Sequence, residues 1–219
     1  MDSAPLHLGF VPGVTPDKWA RTWAQRRPSD PLRLVPLDQA DPVALLHAGD
    51  LQLCLLRLPV ERDGLHVVAL YDEVPVVVVG REHPVAAYDE IDVADLLDEH
   101  LLQDPDEVPV WRDLATEVAD GSRHPVPSMS LREAVATVAA GTGVVVVPMS
   151  LARQHHRKDV VAVPVRGVPP TTVALAWRRD LDDPRVQDVV GVVRGRTANS
   201  SRGSAAGRSG QTPRRRPRR

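Results

Sequence analysis

Two short stretches carry the chemistry that this chain's residue types permit most readily. Pro12-Gly13-Val14-Thr15 and Ser128-Met129-Ser130 each stand ahead of a segment with helical spacing. A helix start leaves backbone N–H groups without intrahelical partners, and with a hydroxyl beside them they attract small anions such as carboxylates. Thr15 and Ser130 also fit a plainer role, as N-caps that satisfy only their own helices. Binding needs more than capping: both starts must face one cleft.

Other chemistry finds no matching pattern. There is no Gly-x-Ser-x-Gly elbow, no phosphate loop and no Gly-x-Gly-x-x-Gly after a strand; Gly141-Thr142-Gly143 precedes a strand, the wrong side for a dinucleotide. The histidines show no metal-ligand spacing, since His155 and His156 are adjacent and point to different helical faces. Cys54 has no basic neighbour to lower its pKa and reads as a small apolar core residue. No catalytic residue, metal ligand or cofactor site is therefore expected, and an enzyme is the least favoured class.

The elements that must position the two stretches follow a βα rhythm. Leu6–Val11 reads as a strand and Pro16 to Arg27 as a helix capped by Thr15; Leu32–Leu37 is a second strand, followed by Asp41 as N-cap with Pro42 at the first helical position and Gly49 as the stop. Leu51–Leu56, Val67–Leu70 and Val74–Gly80 are further strands, the last a valine run suited to a sheet covered on both faces. Residues 89–126 have weak periodicity. Ser130-Leu131-Arg132-Glu133 is a capping box that opens a helix ending at Gly141; strand Gly143–Pro148 follows, and Ser150 can cap the next helix. Strands Val160–Val165 and Thr171–Trp177 and a helix from Pro184 to Val193 complete an α/β chain with largely parallel pairing.

At 219 residues there is room for one large domain or two small lobes. With only seven aromatics, Val, Leu and Ala must fill the core, and one cysteine excludes a disulfide framework. No leader-like N-terminus and no apolar run of membrane length is present, so the chain reads as soluble and cytoplasmic. Charge is uneven. Residues 194–219 hold nine Arg and no acid, while residues 1–193 hold 18 basic and 29 acidic side chains, a net of −11. The tail, poor in apolar residues, is expected to be disordered. It has three readings: phosphate contacts to nucleic acid, contacts to the acidic body, or a solvated extension.

Several motifs join into one pattern over about residues 5–193. Leu6-His7-Leu8-Gly9 opens it, and Gly49-Asp50-Leu51-Gln52-Leu53-Cys54-Leu55 closes the second unit. His83-Pro84-Val85-Ala86 precedes Ile91-Asp92-Val93-Ala94-Asp95-Leu96, and Val135-Ala136-Thr137-Val138-Ala139-Ala140-Gly141-Thr142-Gly143-Val144-Val145-Val146-Val147-Pro148 contains the spacing V-x-x-G-x-G-[IV]-x-x-[LV]-P. In this order the segments resemble the effector-binding domain of LysR-type transcriptional regulators, with Gln52 where the family has aspartate. The family's N-terminal DNA-binding domain has no counterpart in this sequence.

The resemblance implies a two-lobed fold like the type 2 periplasmic binding proteins, each lobe a βα sheet. Lobe I would take about residues 5–80 and 178–193, and lobe II about 81–177. It implies ligand contacts at Pro12, Gly13, Val14 and Thr15; at Arg57 and Leu58; at Ser128, Met129 and Ser130; and at Val147 and Pro148. A carboxylate would be held by amides and hydroxyls of Thr15, Ser128 and Ser130 with Arg57 assisting, and Val14, Met129 and Val147 would shape an apolar remainder. The function implied is regulatory: sensing a small anionic metabolite and acting through a homodimer or a DNA-binding regulator. The alternative is a nucleic-acid-associated protein that uses the basic tail.

Overall fold

The computed structural model describes residues 4–38 and 41–195. The expected basic tail lies outside the described residues from position 196 onward. In chain order the first elements are β1 (Leu6–Phe10), α1 (Asp17–Arg26), β2 (Leu32–Pro36), α2 (Pro42–Ala48), β3 (Leu53–Arg57), β4 (Leu65–Glu73) and β5 (Pro75–Gly80). Two-residue β6 (Ile91–Asp92), α3 (Pro109–Arg112), α4 (Thr116–Ala119), α5 (Leu131–Ala139), β7 (Val145–Pro148), α6 (Met149–Gln154), β8 (Val160–Arg166), β9 (Thr171–Arg178) and α7 (Pro184–Val193) complete the order.

Two sheets result, with strand orders β2-β1-β3-β9-β4 and β6-β8-β5-β7. In the first, alternate side chains feed two cores. Leu6, Leu8, Leu53, Leu55, Val173 and Leu175 point toward α1 and α7, while Cys54, Leu56, Ala174 and Ala176 point toward Leu46 of α2. The second sheet does the same: Val77, Val79, Val146 and Val163 pack on Trp111 and Leu96, and Val76, Val78 and Val145 pack on Val135 and Val138 of α5. Each such Val or Leu side chain contributes about 1.5–3 kcal/mol by leaving water, so both lobes have cores of their own despite the shortage of aromatics.

The lobe boundaries differ from those expected. The family pattern assigns β5 to lobe I and nearly all of β9 to lobe II, yet β5 lies at the centre of the second sheet and β9 in the first. Both strands are apolar on both faces, so their patterns fit either sheet and do not reveal which one they join. The chain crosses between lobes at Val74 and again between Arg166 and Thr171. Pairing is also less parallel than expected: β1 runs parallel to β2 and β3, whereas β9 runs antiparallel to β3 and β4 and β5 antiparallel to β7 and β8.

Several local signals act as their chemistry requires. Asp41 accepts from the amides of Val43 and Ala44, with Pro42 opening α2 and Gly49 ending it in the left-handed conformation. Trp23 is buried, its indole N–H donating to the Asp30 carbonyl at 2.6 Å, and Trp19 packs on the same core. Among the described residues no helix is long and apolar enough to cross a membrane.

Candidate functional site

β1 and β2 run parallel, and their carboxyl ends open toward the other lobe, the place where α/β sheets hold ligands. There a cavity of about 750 Å³ lies between the lobes. Its first-lobe wall is Phe10, the loop Pro12, Gly13, Val14 and Thr15, the β2 end through Asp38, and Tyr71, Asp72 and Glu73 of β4; its second-lobe wall is Met149, Ser150, Arg153 and Gln154 of α6. All four loop residues expected from the sequence thus line it.

The loop's shape depends on close contact between the lobes. Gly13 has φ +83°, and a Cβ there would sit 2.7 Å from the Ser150 hydroxyl oxygen and 2.9 Å from an Arg57 nitrogen. Only glycine permits both the conformation and the approach. Thr15 does not cap α1: the cap position falls on Pro16, no side chain caps the helix, and Thr15 is exposed.

Arg57, at the end of β3, does not offer its charge to the cavity. Its guanidinium donates to the Glu73 carboxylate at 2.7 Å, to the Pro12 carbonyl at 2.7 Å and to the Ser150 hydroxyl at 3.0 Å. It therefore stands behind the cavity and ties together three residues that line it, two in one lobe and one in the other. Among the described residues Glu73 is the one buried polar or charged side chain, 6% exposed, and a carboxylate at that depth needs such a partner. A β-bulge between Ala69 and Tyr71 sets the strand's last residues, so that Tyr71, Asp72 and Glu73 face Val173, Thr172 and Thr171. The Thr172 hydroxyl donates to Asp72 at 2.6 Å. Burial, and then the Glu73 charge, push the Tyr71 phenol upward, with Arg57 acting in the opposite direction.

The other expected residues gather elsewhere. Ser128, Met129 and Val147 line a second cavity of about 640 Å³ made wholly from lobe II. Leu151 of α6 faces this cavity while Met149, Ser150 and Arg153 face the first, so α6 stands between the two. Ser130 lines neither. Its hydroxyl accepts from the Glu133 amide at 3.3 Å and donates to the Glu133 carboxylate at 2.7 Å, which also accepts from the Ser130 amide. These bonds hold the Glu133 carboxyl below its ordinary range, and that negative charge already occupies the helix start where an anion was expected. Ser150, expected to cap α6, bonds Arg57 instead. Leu58 is half-buried against the first-lobe core, and Pro148 with Val147 borders a smaller cavity of about 180 Å³.

The two strand-to-helix junctions therefore do not converge on one hollow. Sequence reasoning missed the charged lining of the interlobe cavity: Asp38, Asp72, Glu73 and Arg153. The one available signal was the adjacent acids Asp72-Glu73 closing an apolar strand just before a valine run.

The sequence matches the LysR substrate binding domain family over residues 2–198, and the chain belongs to that family. Its fold agrees with solved members. The reduced form of the OxyR regulatory domain from Pseudomonas aeruginosa is 26% identical, with a TM-score of 0.66 over 87% of this chain and 96% of that one. The oxidised form of OxyR is 25% identical, with a TM-score of 0.68 over 89% and 96%. The BenM effector binding domain with its effector benzoate is 20% identical, with a TM-score of 0.67 over 87% and 90%; at that identity it supports the fold alone. No curated protein sequence matches the chain.

Proposed function

We propose that this domain is a non-enzymatic sensor that binds a small carboxylate-bearing metabolite between its lobes and transmits the resulting change in lobe angle to a second copy or a DNA-binding regulator. The cavity walled by both lobes carries the reading, because a ligand touching both walls stabilises one lobe angle over others. Pro12, Gly13, Val14 and Thr15 form the first-lobe contact, and the carboxylate turns to Arg153, since Arg57 and Ser130 are already engaged.

A thiol switch is not part of this reading. OxyR has oxidised and reduced forms, but Cys54 is the one cysteine here, and burial pushes its pKa to about 12. Such a thiol holds almost no reactive thiolate near neutrality.

Isothermal titration against a library of small carboxylates tests the proposal. Binding by at least one compound, weakened by Thr15→Ala and by Arg153→Gln, is expected; a library without binders, or binding that neither variant alters, overturns it. A second reading rests on the charge division between an acidic body and nine tail arginines: the tail adds salt-sensitive nucleic-acid affinity. Deleting residues 196–219 should then abolish DNA retention in low salt, and unchanged retention ends that reading.

A further inference from the structure

If the interlobe cavity is the sensing site, its charges narrow the class of ligand. An anion by itself is poorly matched to it. Asp38, Asp72 and Glu73 line the first-lobe wall and Arg153 the second. Arg57 matches Glu73, leaving two carboxylates on one side and one guanidinium on the other. Asp38 and Arg153 are exposed, and neither side chain forms a hydrogen bond or ion pair with any described residue. Asp72 accepts one hydroxyl, from Thr172, and has further lone pairs to offer.

A ligand carrying only a carboxylate would satisfy Arg153 but sit in a cavity of net negative charge, where like charges oppose binding. One carrying only an amine would satisfy the first-lobe wall and leave the guanidinium unpaired. We propose that the cavity takes a zwitterion of the amino-acid class, its ammonium group against Asp38 and Asp72 and its carboxylate against Arg153; this deepens the sensor reading and rests on it. Phe10, Val14, Leu37 and Met149 receive the apolar remainder. Because the two poles of the ligand meet opposite lobes, a molecule with both draws the lobes together more strongly than one whose single charged group pairs with one wall.

The full chain should be titrated with the twenty L-amino acids by thermal shift and calorimetry. Any binder is then compared with its own deaminated and decarboxylated counterparts, and small-angle scattering tracks lobe closure. At least one amino acid is expected to bind and reduce the radius of gyration. Removing either pole, or introducing Asp38→Asn or Arg153→Gln, should weaken binding by about tenfold or more. Both substitutions are at exposed positions, so circular dichroism should be unchanged. If a deaminated carboxylate binds as tightly as its parent and only Arg153→Gln weakens it, the zwitterion proposal is overturned and the sensor reading stands. If no amino acid binds, the proposal is also overturned, and the wider carboxylate library decides the sensor reading separately.

Discussion

The starts of α1 and α5 resemble each other in sequence, each a turn with a hydroxyl just ahead of a helical run, yet the fold uses them in opposite ways. The α5 start is closed upon itself, with Ser130 and Glu133 satisfying one another's amides and placing a negative charge on the helix end. The α1 start has no side-chain cap, and its loop is held from outside by Arg57 on the Pro12 carbonyl. A junction that satisfies itself is structural. One held by other parts of the molecule keeps its loop, Pro12 to Thr15, in the wall of the space between the lobes.

The largest effect that would break this contrast comes from Arg57. Arg57→Ala should destabilise the protein by about 3–5 kcal/mol, because it strands the buried Glu73 carboxylate. Urea unfolding should show a lower midpoint at unchanged slope, and replacing both residues by Met and Leu should restore most of the loss. A change below about 1 kcal/mol for Arg57→Ala would mean that the α1 junction does not depend on it. At the other junction, Ser130→Ala should cost about 1 kcal/mol by the same measurement, the usual cost of losing a cap.

Acid titration sharpens the contrast further. The Glu133 carboxyl is held low in the folded protein, so its contribution is complete above the ordinary carboxylate pKa and fades as pH falls through the depressed folded value. Glu133→Gln should flatten that part of the stability–pH curve; an identical curve would remove the capping box from the account. Smallest of all, Thr15→Ala should alter stability by no more than about 0.5 kcal/mol, since Thr15 is exposed and caps nothing. A loss near that of Ser130→Ala would show the two starts to be alike after all.

How legible each feature was depends on the range of the interaction behind it. Asp41-Pro42 and Ser130 with Glu133 act within three residues, and both could be read directly. The β5 valines announced a strand covered on both faces, but nothing in Val76 to Val79 tells which sheet receives it or in which direction its neighbours run. Of the site, the loop Pro12–Thr15 was legible because its turn and helix are local. Arg57 was singled out as a ligand contact, and its engagement by Glu73 and Ser150 could not be read because these partners lie 16 and 93 residues away. Asp38, Asp72 and Arg153 come together only once two lobes exist, so no local pattern marks them as neighbours.

The crossing at Val74 makes the second lobe an insertion into the first. Glu73 stands opposite Thr171 across the β4–β9 ladder, so the chain leaves lobe I and re-enters it at adjoining points, about 5 Å apart for facing Cα atoms in an antiparallel pair. A tight turn joining those two residues would make β4 and β9 a simple hairpin and leave the five-stranded sheet uninterrupted. Everything from 74 to 170 is in this sense a removable cassette, and the same splice point would accept the corresponding lobe of another member of the family.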